Sequence, residues 1–212
     1  DASAGADYVI TVVCEEIVDG RPSGQDVGRL FVLDGQDLHV KDEFSERTFS
    51  IMATYNPVAK NILAIWGLDN RPEAREYSRG GDGRFSLVLT TVLCEGCNYQ
   101  TTRSGKPVIG DNDSVAVAVT PRESGRLGVL IIDDRREVWE GAGVAAQWAH
   151  LVRTDRGPLM VYRNHDELMA WQCDWEGRLT GYPKTLCGVS GYPLFAAQGD
   201  VDRFWIMLHR PD

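Results

Sequence analysis

The stretch of sequence that decides the fold is Arg29-Leu30-Phe31-Val32-Leu33-Asp34-Gly35-Gln36-Asp37-Leu38-His39-Val40-Lys41. Its two strand-like runs, Arg29–Leu33 and Leu38–Lys41, flank Asp34-Gly35, and an Asp-Gly pair in that position is a signal for a β-hairpin. Further runs of this kind lie on both sides of it: Tyr8–Ile17, Phe49–Tyr55, Ile62–Leu68, Phe85–Leu93, Val115–Thr120, Leu127–Ile132, Val138-Trp139, Leu159–Tyr162, Leu194–Ala197 and Phe204–Leu208. Short strands spaced in this way predict a mostly β fold, an antiparallel barrel or sandwich with little helix.

Two segments depart from the strand pattern and predict short helices. Val144–Val152 follows a glycine and includes two alanines, which favour helix. Asp166–Trp171 follows Asn164, a residue type that commonly caps the start of a helix.

Turn-rich stretches separate the strands and indicate how the chain is divided. The longest of them are Asp69–Arg84 and Cys94–Asp113. We expect a flexible N-terminus over residues 1–7, a first β-subdomain over 8–100 and a second over 101–212. Aspartates end several of the apolar runs at unequal intervals, so no propeller repeat is predicted.

Composition indicates the type of partner more than the chemistry. The chain has 212 residues, of which 43% are hydrophobic and 25% charged, as in ordinary globular proteins. Its formal charge of −9 repels phosphate backbones, so we expect no nucleic-acid partner and favour a basic peptide or protein. No apolar run reaches the roughly 20 residues of a membrane helix, so no membrane span is predicted. Neither a Walker A sequence nor a dinucleotide-binding fingerprint occurs, and no organic cofactor is expected.

One short motif points to covalent chemistry. The run Gly188-Val189-Ser190-Gly191-Tyr192-Pro193 resembles G-x-S-G-x-P, the nucleophile motif of chymotrypsin-like serine proteases. The resemblance implies a serine endopeptidase similar to the viral members of that group, with Ser190 as the nucleophile. It also implies that the backbone N–H groups of Gly188 and Ser190 bind the oxyanion of the tetrahedral intermediate. Without the resemblance, the same run is a Gly/Pro turn before a strand.

The resemblance also suggests partners for this serine. A serine hydroxyl needs a base, and His39, in the first half of the chain, corresponds to the family's histidine. Asn61 stands where the family has the orienting Asp, with Asp42, Asp69 or a plain Ser–His dyad as alternatives. His209 corresponds to a histidine that recognises substrate in viral members. Cys187 is a second candidate nucleophile, because it precedes Gly188.

The cysteines suggest a metal. Cys94-Glu95-Gly96-Cys97 has the spacing of half a zinc site, and Cys173 and Cys187 would complete a structural zinc set. Free thiols at a turn, or a disulfide, are the alternatives. An odd and sparse set of five cysteines favours a reducing intracellular compartment, with a mature secreted chain left open. A non-catalytic, acidic β-rich module that binds a basic partner is the competing function for the whole chain.

Overall fold

Antiparallel strands make up the regular structure of the chain. The computed structural model describes residues 7–68, 71–99, 105–121, 127–144, 146, 149–189, 197–200 and 203–206. Its strands are β1 (Tyr8–Val18), β2 (Arg21–Leu33), β3 (Val40–Arg47), β4 (Ile51–Asn56), β5 (Asn61–Trp66), β6 (Glu73–Arg79), β7 (Phe85–Val92), β8 (Cys97–Asn98), β9 (Val108–Ile109), β10 (Val115–Pro121), β11 (Leu127–Ile132), β12 (Val138–Val144), β13 (Ala149–Thr154), β14 (Gly157–Asn164), β15 (Glu167–Cys173), β16 (Leu179–Gly188), β17 (Ala197–Asp200) and β18 (Arg203–Ile206). The described ranges contain no helix, and the predicted mostly β, antiparallel fold is confirmed.

The chain forms two units, Asp1–Glu95 and Gly96–Asp212, whereas the sequence placed the division near residue 100. Unit 1 contains a three-stranded sheet, β1-β2-β3, and a four-stranded sheet, β4-β5-β6-β7. Unit 2 contains the sheet β12-β11-β10-β8, with β9 also paired to β10, then the four-stranded sheet β13-β14-β15-β16 and the pair β17-β18. Most strands therefore pair with their neighbours in sequence. Both four-stranded sheets are simple meanders, the kind of unit from which propeller blades are also built.

The core of unit 1 lies between its two sheets. Leu30 and Val32 of β2 pack against Ile62, Ala64 and Trp66 of β5. Every second residue of each strand faces this core, because side chains alternate between the two faces of a sheet. Fully burying an aliphatic side chain contributes roughly 1.5–3 kcal/mol. These contacts hold the β1-β2-β3 sheet, which carries the candidate sites, on a fixed support.

In unit 2 the structure corrects both helix predictions. Val144 ends β12, and residues 149–152 of the segment belong to strand β13. Asp166–Trp171 is mainly β15, a central strand that places Leu168 in one hydrophobic core and Met169 in another. A strand buried on both faces shows no polar–apolar alternation, so the sequence pattern does not distinguish it from a helix.

Four hairpin turns in the described residues share one backbone pattern. They are Gly80–Arg84, Gly110–Ser114, Asp133–Glu137 and Asp174–Arg178. In each turn the N–H of the first residue donates to the carbonyl of the fifth, and the N–H of the fourth donates to the carbonyl of the first. The fourth residue has a positive φ: 83° at Gly83, 68° at Asp113, 67° at Arg136 and 80° at Gly177. The turns thus recur in backbone geometry although the sequence has no fixed period.

Candidate functional site

The residues of the predicted catalytic motif are only partly described. Ser190 and His209 lie outside the described residues, and their roles stay predictions. Gly188 is the last residue of β16 and pairs with Glu167 of β15. A strand end is compatible with a following turn, but the atoms that would form an oxyanion hole are not all described.

His39 lies in the β2–β3 turn, and its nearest ionisable partner is a carboxylate that the sequence analysis did not select. The His39 Nδ1 is 2.5 Å from the Asp37 Oδ1, and the same oxygen accepts the His39 backbone N–H at 3.1 Å. The hydrogen bond from His39 lowers the pKa of the Asp37 carboxyl. Both side chains are exposed, at 58% and 68%. The pair leaves the Nε2 edge of the ring directed away from its carboxylate, as a general base requires.

A connected series of ion pairs lies next to this turn. The Lys41 ammonium is 2.6 Å from Asp34 and 2.7 Å from Asp7, and Arg79 lies 3.4 Å from the other oxygen of Asp7. The hydrogen bond from Lys41, together with the N–H of Gln36, lowers the pKa of Asp34 to about 2. Asp34 and Asp7 in turn raise the pKa of Lys41. Asp7, the last residue of the predicted flexible N-terminus, is therefore held by two cations.

The turn also contains a grouping of metal-ligand type. Ligand atoms of Asp34, Asp37 and His39 all lie within 4.8 Å of one another. However, the Lys41 ammonium already supplies a cation to Asp34 at hydrogen-bond distance. A divalent ion would have to compete with that ammonium at Asp34 and with the His39 hydrogen bond at Asp37, and these two contacts account for the clustered carboxylates.

Asn61, the predicted orienting residue, is engaged elsewhere. It is 3% exposed at the start of β5, and its Nδ2 donates to the Glu76 Oε2 of β6 at 2.6 Å. The alternative Asp42 is also buried and accepts the backbone N–H of Phe85 at 2.9 Å. Asp69 lies outside the described residues. The carboxylate that bonds the His39 ring is thus Asp37, and its place two residues before His39 in the same turn was the signal available in the sequence.

The four cysteines of the predicted zinc set differ in state. Cys94 and Cys97 are disulfide-bonded, the alternative that the sequence left open. Cys173 is buried, which raises the pKa of its thiol to about 12, and Cys187 is exposed on β16. Zinc binds thiolates, so the oxidised pair does not fit the metal. The zinc site stays a prediction for the reduced chain only.

A second candidate surface lies at the far end of the β1–β2 hairpin. This acidic tip consists of Glu15, Glu16, Asp19 and Asp26 with the aliphatic residues Ile17 and Val18. Ile17 and Val18 are 60% and 50% exposed. The tip turns through Asp19 and Gly20, whose φ angles of 51° and 76° suit a tight two-residue hairpin turn. The tip therefore presents carboxylates and aliphatic side chains together.

The pairing of the two strands makes the tip electrostatically unfavourable on its own. Glu15 of β1 lies directly opposite Asp26 of β2, and like charges in that position destabilise a sheet. Arg47 approaches Glu16 at 3.9 Å, a long contact for an ion pair. The excess of acidic over basic residues extends to the whole of unit 1, which has 16 acidic and nine basic residues and a formal charge of −7. Unit 2 has 15 acidic and 13 basic residues and a formal charge of −2.

Comparisons with known proteins suggest no family for the chain, so its function has to be inferred from these sites. In the described part of the chain, no helix has the length and apolar character needed to cross a membrane. No protein-family model and no curated protein sequence matches the chain.

Proposed function

We propose that this protein is a non-catalytic interaction module that binds a basic peptide or protein through the acidic tip of the β1–β2 hairpin. One observation carries the proposal: Glu15 and Asp26 face each other across two paired strands. Such a pair costs stability in the free protein. A cationic side chain placed between the two carboxylates would remove that repulsion, so binding and relief of repulsion favour the same complex.

The exposed aliphatic residues add a second contribution to the same surface. Ile17 and Val18 can be covered by a partner without rearrangement, because both are already at the surface. Burying apolar area supplies affinity, whereas charge mainly sets the association rate and the choice of partner. A partner with alternating arginine and aliphatic residues matches both properties. Nucleic acid does not match, because its phosphates would meet the formal charge of −7 on unit 1.

Fluorescence anisotropy with a labelled peptide of alternating arginine and valine tests the proposal. We expect saturable binding that weakens as salt is raised, and a loss of at least tenfold in affinity in the Glu15→Gln/Asp26→Asn variant. Asp155→Asn/Glu167→Gln makes the same charge change on exposed residues of unit 2 and should bind as the wild type does. Equal losses in the two variants, or equal binding of a labelled DNA duplex, would contradict the proposal.

A specific observation favours a second candidate function, serine endopeptidase activity. The Asp37–His39 pair has the hydrogen bond between carboxylate and Nδ1 that a catalytic histidine needs, and Ser190 lies in the motif that resembles the family's nucleophile. In this proposal Ser190 attacks the carbonyl, His39 accepts and returns its proton, and Asp37 orients the ring.

A fluorophosphonate probe tests this second function directly, because it labels activated serines. Labelling of the wild type that is lost in Ser190→Ala and in His39→Ala, and retained in Cys187→Ala, would establish it. If the wild type remains unlabelled while the arginine–valine peptide binds, the interaction module alone stands.

A further inference from the structure

The turn between β9 and β10 contains a sequence pattern that marks a site of covalent modification. Asn112-Asp113-Ser114 has the form Asn-x-Ser, in which x is not proline, and this is the acceptor pattern of N-linked glycosylation. The protein has six asparagines, and only Asn112 is followed two residues later by Ser or Thr. Because so short a pattern also occurs by chance, the surroundings of Asn112 decide whether it suits an acceptor.

The geometry of the turn directs the amide nitrogen of Asn112 to solvent. Asn112 is exposed and is the third residue of the five-residue turn Gly110–Ser114. Its Oδ1 accepts the backbone N–H of Ser114 at 3.3 Å, and a Cβ atom on Gly110 would lie 2.9 Å from the same oxygen. The amide oxygen therefore points into the turn. The nitrogen, to which a glycan is attached, lies on the other side of this planar group and points outward.

The residues on both sides of Asn112 are held by ion pairs to other parts of unit 2. Asp111 pairs with Arg153 of β13, and Asp113 pairs with Arg136 of the β11–β12 turn at 2.7 Å. The second pair is mostly shielded from water, with side chains 18% and 16% exposed. These contacts fix the turn while the Asn112 side chain extends from it. A bulky glycan at this position would therefore project into solvent and displace neither ion pair.

The cysteines provide independent support, because they indicate an oxidising compartment. Cys94 and Cys97 are disulfide-bonded, whereas the thiols of Cys14, Cys173 and Cys187 are free. Disulfides form and persist in secreted proteins and in the lumen of the endoplasmic reticulum, and they are rare in the cytosol. N-linked glycans are added in that same lumen. The oxidised pair thus favours the mature secreted chain that the sequence left open.

We propose that Asn112 is an N-glycosylation site, which accepts an oligosaccharide from a lipid-linked pyrophosphate donor through a transferase. In the transfer, a bond forms between the Asn112 Nδ2 and C1 of the first sugar, and the bond from C1 to the pyrophosphate oxygen breaks. The lipid pyrophosphate leaves with the electron pair of the broken bond, and the amide nitrogen gives up one proton. This modification does not involve the acidic tip and goes beyond the proposed function.

Secretion of the full chain from eukaryotic cells, behind a cleavable signal sequence, tests the proposal. We expect the mass of the wild type to exceed that of the bare chain by one glycan, and a peptide N-glycosidase should remove it and convert Asn112 to Asp. Asn112→Gln and Ser114→Ala each break the acceptor pattern and should lose the glycan. Asn164→Gln changes an asparagine outside the pattern and should retain it. A wild type whose mass the glycosidase leaves unchanged would overturn the proposal.

Two further measurements keep the test decisive. Asn112→Gln/Asp166→Ser moves the acceptor pattern to Asn164 in the β14–β15 turn, where His165 and Asp166 are exposed. A glycan on this variant with none on the wild type would show that the transferase acts on the chain but rejects Asn112. Alkylation of the denatured, unreduced secreted chain should modify the three free cysteines. Modification of all five would show that no disulfide had formed, and it would remove the evidence for an oxidising compartment and overturn the proposal.

Discussion

Arg136 and Asp113 join two hairpin turns of unit 2 through an ion pair, with 2.7 Å between the Arg136 Nη2 and the Asp113 Oδ2. Each is the fourth residue of its turn, with φ of 67° and 68°. The Arg136 Nη1 also donates to the carbonyl of Asp113 at 3.2 Å. Both residues therefore have a left-handed backbone conformation, which is unfavourable for a residue with a side chain. It is these same side chains that form the ion pair between the two turns.

This relationship predicts an order of stabilities among variants of Arg136. Arg136→Ala should lower the free energy of unfolding by about 1.5–3 kcal/mol, because it removes hydrogen bonds to a charged group that is mostly shielded from water. Arg136→Gly loses the same bonds but regains roughly 1 kcal/mol of left-handed backbone strain. Urea unfolding should therefore rank wild type above Arg136→Gly, and Arg136→Gly above Arg136→Ala. An alanine variant as stable as the glycine variant would show that the strain is negligible.

Stability should depend on pH through His150. Burial lowers the pKa of this imidazole to about 4. The unfolded side chain titrates near 6.5, so between these values the unfolded chain binds a proton that the folded chain does not. The free energy of unfolding should therefore fall as pH decreases from about 6.5 to about 4.

Thermal unfolding at several pH values checks this dependence. His150→Gln should flatten the profile across that window. His165→Gln, a change in the exposed β14–β15 turn, should leave the profile of the wild type in place. A slope that survives His150→Gln would assign the effect to another group.

Asp34 predicts a second, more acidic transition. Its folded pKa is lowered to about 2, mainly by the hydrogen bond from Lys41. A carboxyl with a lowered pKa contributes stability above its ordinary value of 3.8, and that contribution disappears as pH falls toward 2. Asp34→Asn should be less stable than the wild type at pH 6, and the difference should shrink at pH 2. Asp155→Asn is the control, and a constant difference between wild type and Asp34→Asn would contradict the assignment.

The acidic tip predicts a trade of stability against binding. Asp26→Asn removes the like-charge pair with Glu15 and should raise the free energy of unfolding by about 0.2–1 kcal/mol. The same change should weaken binding of the arginine–valine peptide, because one of the two facing carboxylates is lost. Urea unfolding and anisotropy on one preparation measure both effects. A variant that is less stable and binds normally would separate the tip from the function.

Sequence reasoning succeeded where a local signal was sufficient. Asp34-Gly35 between two strand-like runs marked the β2–β3 hairpin, since turn chemistry and alternation act over a few residues. It failed at β6, which lies inside the predicted turn-rich stretch Asp69–Arg84. Its Glu73 and Glu76 carry charged side chains, yet both are buried. Arg75 pairs with Glu73 at 2.9 Å and stacks 5.2 Å from the Trp66 ring. These partners come from tertiary packing, which a local pattern does not contain.

The candidate site was likewise predictable from the sequence only in part. His39 was selected from the sequence by its position in a hairpin and by a family resemblance. Its hydrogen-bond partner Asp37 was not predicted, because the order of residues along the chain in the resembling family points to Asn61. In the structure Asn61 forms a hydrogen bond with Glu76, and Asp37 forms one with His39. The like-charge pair of Glu15 and Asp26 depends on strand register, which spacing alone does not fix.

The recurring five-residue turns give the protein convenient attachment points for engineering. Their geometry rests on two backbone hydrogen bonds and a left-handed fourth residue, so an exposed second residue such as Asp134 can be changed, whereas Trp175 in the same position of another turn packs against the core of unit 2. Extending an exposed loop costs only about 0.6 kcal/mol for each doubling of its length. A fluorophore-coupling cysteine or a short epitope placed at the exposed Asp134 would therefore report on the molecule without disturbing the acidic tip or the core of unit 2.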